Sequence, residues 1–348
     1  AYQPGLVVLL GSGETSATIR KVYNWLFERS DSPIHISILE TPAGFEPNSD
    51  RVAGQIADFM EKHLKNFCPR IWVVPARKRG TPFSPDDAEI VTPLLEANVI
   101  MMGPGSPTYA VRQLKGSVAW HTVNARHRRG ANLVFASAAT IASSTCALPV
   151  YEIYKVGEDL HWKPGLNLFE PFGLSLVFIP HWNNNDGGVE LDTSRCYMGV
   201  SRFEKLAKLL PDDQIVVGID ENTGLIIDFQ AGCYQVVGQG NVTIFKQGSE
   251  LIIPAGEEVK LADLGNFELC EPLAGIKPAS WEAAILAAEQ LNKPLQPPPE
   301  VIGMADERQQ ARLEMNWEKA DQLRMDIENR GWMVQDNPKG YQLVRIKS

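Results

Sequence analysis

Cysteine is scarce in this sequence, and the few cysteines are not arranged for metal or disulfide chemistry. There are five in 348 residues, an odd number, scattered along the chain and never in a Cys-x-x-Cys pair. Structural zinc sites use closely spaced cysteines, and secreted disulfide frameworks use an even set. Both are therefore disfavoured, and we expect a protein of the reducing cytoplasm without a metal site.

Two further absences concern membranes and nucleic acids. No apolar run approaches the length of a membrane span, and residues 1–5 lack the basic and apolar parts of a secretion signal. Positive charge is not in excess, because 42 acidic residues outnumber 33 Lys and Arg residues and give a formal net charge of −9. This balance argues against a general affinity for nucleic acid or anionic membranes, so we expect no membrane partner.

What the sequence does contain is a regular alternation of apolar strands and amphipathic helices. Its apolar fraction of 44% is that of a globular protein with a sizeable core. The predicted strands are 6–10, 34–39, 71–74, 99–102, 133–136, 174–179 and 215–219, followed by β segments at 224–229, 233–237 and 242–245. This order predicts an α/β fold, with a mainly parallel sheet covered by helices on both faces and an antiparallel extension.

A proline-rich stretch near the C-terminus marks the clearest domain boundary. We predict a first domain over 1–292, a stiff linker over 293–302 and a small α+β domain over 303–348. In the small domain, residues 305–316 and 317–329 are predicted helices, and Gly331 closes the second one. Asn337 to Gly340 is a predicted hairpin turn.

The strand Leu133–Ala136 stops at Ser137 and is followed by small residues that predict a helix from Ala138 to Cys146. A sharp turn from strand to helix presents a serine hydroxyl at the C-terminal edge of a sheet, beside the free N–H groups of the new helix. Nucleophiles of acyl transfer are displayed in this way. The alternative is an ordinary junction in which Ser137 is the helix N-cap.

Three polar residues follow the ends of three predicted strands, namely Ser137, His181 and Glu221. In an open parallel sheet that edge forms the active crevice, so we expect the three to meet at one edge of one sheet. Serine, histidine and an acid are what nucleophilic catalysis needs. The N–H groups of Gly105 and Ala138 are the predicted oxyanion donors. Taken singly, His181 and Glu221 are also compatible with ordinary loop positions.

A glycine-rich loop, Gly11 to Ser16, follows the first strand and opens a helix, as a dinucleotide-binding loop does. Ser16 stands where the third glycine of that fingerprint would be, and the fold needs a tight turn here in any case. We therefore expect no nucleotide and no cofactor.

Over about residues 5–250 the sequence resembles the cyanophycinase and peptidase E group, serine hydrolases with a fold like that of class I glutamine amidotransferases. The resemblance rests on four segments and a closing one, namely 103–107, Ser137-Ala138, 180–182, 217–223 and 236–243. It implies Ser137 as nucleophile, His181 as base and Glu221 as the third member of the triad. A peptidase or amidase acting on a small or unusual peptide is the implied function.

Several positions depart from that family's pattern. Phe135 and Ala139 replace the glycines of the usual Gly-x-Ser-Ala-Gly elbow, and Ile179-Pro180 replaces the Asp-Gln pair that cyanophycinases carry before the histidine. Cyanophycin is therefore not implied as the substrate, and a non-catalytic binding or adaptor protein is the alternative. Arg195 is a candidate ligand for a substrate carboxylate, or else a member of a surface salt bridge. Glutamine hydrolysis is disfavoured because position 137 is not cysteine.

The tail, about residues 303–345, resembles the small C-terminal domain of cysteinyl-tRNA synthetases. The resemblance rests on the segments 306–312, 316–324 and 331–336. Nothing resembles the catalytic part of a synthetase, so aminoacylation is not implied. A tRNA or a protein partner is the implied ligand, and the alternative is packing on the first domain or on a second subunit of a homodimer.

Overall fold

The structure is a computed structural model, and it describes residues 2–291, 297–337 and 340–345. Residues 293–296 of the predicted linker, Pro338-Lys339 of the predicted turn and Ile346 lie outside this range. The chain divides into two compact units, Ala1–Ala288 and Glu289–Ser348. The domain limits at 292 and 303 stay predictions.

The helices of the described residues are α1 Ala17–Phe27, α2 Ser49–His63, α3 Ala88–Glu96, α4 Pro107–Leu114, α5 Val118–Arg128, α6 Ala138–Ala142, α7 Gly199–Ala207, α8 Pro278–Leu291, α9 Pro299–Leu313 and α10 Trp317–Asn329. The strands are β1 Val7–Leu10, β2 His35–Leu39, β3 Arg70–Val74, β4 Val99–Met102, β5 Asn132–Ala136, β6 Cys146–Ala147, β7 Lys163–Pro164, β8 Leu176–Ile179, β9 Ile215–Ile219, β10 Thr223–Asp228, β11 Cys233–Gly238, β12 Asn241–Lys246, β13 Ser249–Pro254, β14 Glu258–Lys260, β15 Trp332–Asn337 and β16 Gly340–Arg345. Among these helices none is both long and apolar enough to cross a membrane.

The predicted α/β fold is confirmed. Within the described residues the largest sheet has eight strands in the order β14-β11-β10-β1-β5-β4-β2-β3. Its strands β1, β5, β4, β2 and β3 are parallel, and β10, β11 and β14 form the antiparallel extension. Alternate side chains of β5 enter two different cores, with Leu133 and Phe135 on one face and Val134 and Ala136 on the other. Helices α3, α4 and α5 cover the first face, and α1 and α2 cover the second.

The expectation that one sheet carries all three strand ends is wrong. Strands β8 and β9, which precede His181 and Glu221, lie in a separate four-stranded sheet in the order β13-β12-β9-β8. The two sheets meet at Gly11, whose N–H donates to Thr223 O at 2.9 Å and whose carbonyl accepts from His181 N at 3.2 Å. A Cβ at position 11 would lie 2.0 Å from Asp220 O, so this junction requires glycine.

Helix α6 is shorter than predicted, because it ends at Ala142 rather than at Cys146. The residues after it pair with the start of β8 instead. Thr145 N donates to Leu176 O at 2.8 Å, and Ser144 Oγ accepts from Phe178 N at 2.8 Å. These bonds draw the segment away from helical geometry, so tertiary hydrogen bonding overrides the local helix preference.

In the second unit, α9 and α10 form a helical hairpin beside the antiparallel pair β15 and β16. Its small core contains Val301, Ala305, Ile327 and Trp332. Helix α9 begins at Pro299, so residues 299–302 of the predicted linker are helical instead of extended. Proline is well tolerated in a first helical turn because its missing N–H needs no partner there.

Candidate active site

Ser137 lies at the turn between β5 and α6 in a conformation that is costly for any residue but glycine, with φ +51° and ψ −110°. Strain of this kind persists only where the surroundings enforce it, and it is typical of nucleophile elbows. Although Ser137 precedes the helix, its side chain makes no capping hydrogen bond. Its Oγ instead lies 2.9 Å from Nε2 of His181.

The imidazole of His181 bridges the serine and the acid. Its Nδ1 lies 2.8 Å from Oε1 of Glu221. A carboxylate oxygen accepts hydrogen bonds, so Nδ1 carries the proton and Nε2 is left as the acceptor for the Ser137 hydroxyl. The structure therefore brings together Ser137, His181 and Glu221 in the order that general-base activation requires.

Two asparagines that follow His181 hold the acid in place, and the sequence analysis did not select them. Asn184 is buried, and its Nδ2 donates to Oε1 of Glu221 at 2.9 Å. Asn183 Oδ1 accepts from the backbone N–H of Glu221 at 2.8 Å. The run of three asparagines at 183–185, two residues after the histidine, was the signal that could have found them.

Phe135 and Ala139, which replace the expected glycines, point away from the hydroxyl. Both are fully buried in the core that also contains Trp120, and the rings of Phe135 and Trp120 have their centroids 6.4 Å apart. Neither residue is among those lining the cavity in front of Ser137. The elbow is therefore formed without glycine at these two positions.

The cavity in front of Ser137 has a volume of about 580 Å³. Gly105 and Ala138 line it together with Ser137 and His181, so both predicted oxyanion donors lie at the cavity wall. In the described part of the chain, neither of their N–H groups donates to another protein group. Two free N–H groups beside a nucleophile can stabilise a developing oxyanion.

Gly105 is fixed by close backbone packing. It adopts φ +146°, and a Cβ there would lie 2.1 Å from Pro42 O. Strands β4 and β5 are parallel neighbours, with Met102 opposite Phe135, which sets the loop after β4 next to Ser137. The carbonyl of Pro42 also accepts from Ser106 N at 2.8 Å and anchors this loop.

Cys196 and Tyr197 also line the cavity, and they belong to a strained segment in which Arg195, Cys196 and Tyr197 all have φ between +56° and +67°. The Tyr197 hydroxyl donates a hydrogen bond to Oδ2 of Asp186 at 2.9 Å. Hydrogen bonds from Asn184 and Tyr197 lower the pKa of Asp186. Burial, with the nearby charge of Glu221, raises the pKa of the Cys196 thiol to about 12, so this thiol is no competing nucleophile near neutral pH.

Arg195, the predicted carboxylate ligand, does not line this cavity. Its guanidinium lies 4.1 Å from the ring centroid of Trp182, and its Nη2 lies 3.6 Å from Oε1 of Glu250. These contacts match the salt-bridge alternative, and the substrate-binding role stays a prediction. Lys155 is a cation that does line the cavity, and sequence reasoning did not select it.

The glycine-rich loop Gly11 to Ser16 packs against the segment that carries Glu221. A Cβ at Gly13 would lie 2.4 Å from Oδ1 of Asn222, and Ser12 Oγ accepts from Asn222 N at 3.2 Å. Ser16 caps α1 by accepting from Ile19 N at 3.2 Å. The glycines of the loop therefore serve close packing against the segment that carries Glu221.

Comparison with known proteins places the fold. No family model matches the sequence. The crystal structure of a peptidase from an acI-B1 actinobacterium is similar with a TM-score of 0.59 and 24% identity, over 74% of this chain and 98% of that one. A candidate peptidase E of Listeria monocytogenes EGD-e aligns at 14% identity with a TM-score of 0.42, over 68% of this chain and 98% of that one. The first match shows a shared peptidase-like fold, so activity must be argued from the residues of this chain.

Proposed function

We propose that this protein is a serine-type peptidase or amidase in which Ser137, His181 and Glu221 form the catalytic triad. The observation that carries the proposal is the unbroken chain of contacts from Ser137 Oγ through both ring nitrogens of His181 to Glu221, at 2.9 and 2.8 Å. The open cavity before Ser137 supports it further, because a substrate carbonyl has space to reach the hydroxyl.

In the proposed acylation step, Ser137 Oγ attacks the substrate carbonyl carbon while its proton passes to Nε2 of His181. Glu221 accepts from Nδ1–H and stabilises the imidazolium. The negative charge that develops on the carbonyl oxygen is held by the N–H groups of Gly105 and Ala138. When the tetrahedral adduct collapses, the C–N bond breaks and the leaving amine takes the proton from His181.

In the proposed deacylation step, a water molecule takes the place of the amine. It gives a proton to His181 Nε2 as its oxygen attacks the ester carbonyl, and the same two N–H groups hold the second oxyanion. Collapse of this adduct breaks the bond to Ser137 Oγ, which regains its proton from His181. The carboxylic acid product then leaves, and the enzyme is restored.

A screen of β-aspartyl, α-aspartyl and acyl-ester substrates tests the proposal. We expect the native chain to turn over at least one class of substrate. This turnover should be lost in Ser137→Ala, which removes only the Oγ atom and changes the fold little. Asn185→Ala is a suitable control, because Asn185 is exposed next to the site. Equal turnover by Ser137→Ala and the native chain would contradict the triad assignment.

A second candidate function concerns the C-terminal unit, which we infer docks a protein partner rather than tRNA. Leu313, Met315 and Trp317, around the turn between α9 and α10, are 71%, 76% and 58% exposed. The sequence of residues 297–348 contains nine acidic and eight basic residues, so it lacks the net positive charge that would favour tRNA binding. A salt-dependent gel shift of total tRNA by the full chain at low salt would contradict this preference.

A further inference from the structure

A second and larger cavity lies beside the candidate active site. Its volume is about 870 Å³, and Tyr151 lines both cavities. The start of α4 also separates them, because Gly105 and Pro107 line the first cavity while Ser106 and Thr108 line the second. A chain that extends from Ser137 past Tyr151 therefore enters the second cavity.

The wall of the second cavity carries an excess of positive charge. Four cations line it, Arg79, Arg112, Lys115 and Lys163, against the two acids Glu46 and Glu152. Arg79 Nε lies 3.0 Å from Asp86 Oδ2, and Lys163 Nζ lies 3.5 Å from Glu152 Oε1.

The other two cations remain without an acidic partner in the described part of the chain. The Arg112 guanidinium lies over the ring of Tyr109, and Lys115 Nζ donates to Gly165 O at 3.2 Å. Both residues are exposed to solvent. Cations that are free of acids can each pair with a ligand carboxylate.

The spacing between the two cavities sets a length for the ligand. Arg112 and Lys115 follow Pro107 by five and eight residues along α4 and its end. At 1.5 Å per helical residue they lie roughly 8 and 12 Å along the axis from the wall of the active-site cavity. An extended peptide covers about 3.4 Å per residue, so this distance corresponds to roughly two to four residues.

The remaining lining fits a peptide better than an isolated ion. Phe45, Tyr109, Val111, Tyr151 and Pro164 give the cavity apolar and aromatic walls. Such walls bury the stems and backbone of a chain, while a few polar groups fix its register.

We propose that the second cavity is a subsite for an acidic side chain of an extended peptide substrate, two to four residues from the scissile bond, with Arg112 and Lys115 as the carboxylate ligands. This inference rests on the proposed peptidase function. It distinguishes the substrate from a dipeptide, which is too short to reach both cavities.

The first arm of the test measures hydrolysis. Fluorogenic peptides of equal length carry one Asp, one Asn or one Lys at each position from one to five on either side of the scissile bond. We expect kcat/KM to be highest for Asp at two to four positions from the bond, with the preference carried by KM. In Arg112→Gln/Lys115→Gln this preference falls roughly five- to tenfold, because exposed charge pairs are individually modest.

The chain offers a matched control pair. Lys62 and Lys65 are also exposed and three residues apart, in the last turn of α2 and just after it, but neither lines either cavity. Lys62→Gln/Lys65→Gln removes the same charge and should keep the Asp preference unchanged. Glu46→Gln removes the one lining acid that lacks a cation partner in the described residues, and it should strengthen the preference.

The second arm measures binding without catalysis, so that failure of the subsite and failure of the peptidase function can be told apart. Fluorescently labelled Asp- and Asn-containing peptides are titrated into Ser137→Ala. Tighter binding of the Asp peptide, lost in the additional Arg112→Gln/Lys115→Gln background, supports the subsite even if no peptide is hydrolysed. Equal binding of both peptides, or hydrolysis with no preference for Asp at any position, would overturn it.

Discussion

Asn184 and His181 donate to the same oxygen of Glu221, with Nδ2 and Nδ1 at 2.9 and 2.8 Å from Oε1. The buried amide of Asn184 therefore helps to position the Glu221 carboxylate, which in turn accepts the hydrogen bond from the His181 imidazole. Because Asn184 touches neither Ser137 nor the space for the substrate, we regard it as a positioning residue for the acid.

Asn184→Ala is expected to lower kcat roughly 10- to 150-fold with KM nearly unchanged, since a lost hydrogen bond to a charged group is worth about 1.5–3 kcal/mol. Without this hydrogen bond the Glu221 carboxylate would be less well positioned, so it would no longer hold the His181 imidazole in the required tautomer. Steady-state kinetics on any substrate found in the screen checks this, with the exposed neighbour Asn185→Ala as control. A rise in KM at constant kcat would show that Asn184 acts on the substrate instead.

Gly105→Ala is expected to abolish turnover and to lower stability. The new Cβ would lie 2.1 Å from Pro42 O, and the φ of +146° is disfavoured for alanine, so the loop must move and carry its N–H away from Ser137. Loss of one oxyanion donor alone costs about 100- to 1000-fold in kcat. Gly116→Ala is the control, because Gly116 also has a positive φ, +71°, but meets nothing within 4 Å. Equal activity in the two variants would contradict a role for the Gly105 loop.

Acid sensitivity is predicted to come partly from His127, far from the triad. Burial, aided by the charge of Arg128, lowers the pKa of His127 to about 3 from an ordinary value of 6.5. Its Nε2 lies 2.8 Å from Gly5 O, so that nitrogen donates. Its Nδ1 lies 3.5 Å from Nη1 of Arg128, which can only donate, so Nδ1 is the acceptor and the ring is neutral. Below pH 6.5 His127 binds a proton in the unfolded chain but stays neutral in the folded chain. Its contribution to the free energy of unfolding is therefore complete above pH 6.5 and is lost progressively as the pH falls towards 3.

Urea unfolding between pH 7.5 and 4.5 measures this effect. His127→Gln should be less stable than the native chain at pH 7.5 but should lose less stability on acidification. His63→Gln, at an exposed histidine, should follow the native pH dependence more closely. Parallel stability curves for the native chain and His127→Gln would remove His127 from the explanation.

Much of the fold could be predicted because its signals are local. The apolar runs at 99–102 and 215–219 coincide with β4 and β9. Serine, histidine and glutamate at strand ends were found for the same reason, since each lies within two residues of the end of an apolar run.

The remainder depends on contacts that no local pattern encodes. The division into two sheets rests on the pairing of β9 with β8 and β12 and on the junction at Gly11. Phe135 drew attention as a departure from a glycine elbow, yet its ring fills a core against Trp120, which only the alternation of β5 explains. Restoring glycine there by Phe135→Gly would remove a buried ring worth at least about 3 kcal/mol.

The most direct test of the central claim is labelling by a fluorophosphonate probe, which reacts covalently with a serine that a neighbouring base activates. We expect the native chain to be labelled at Ser137, as located by peptide mass spectrometry, with labelling absent in Ser137→Ala and strongly slowed in His181→Ala. Labelling of Ser137→Ala at the native rate, or a native chain that stays unlabelled while folded, would contradict the triad.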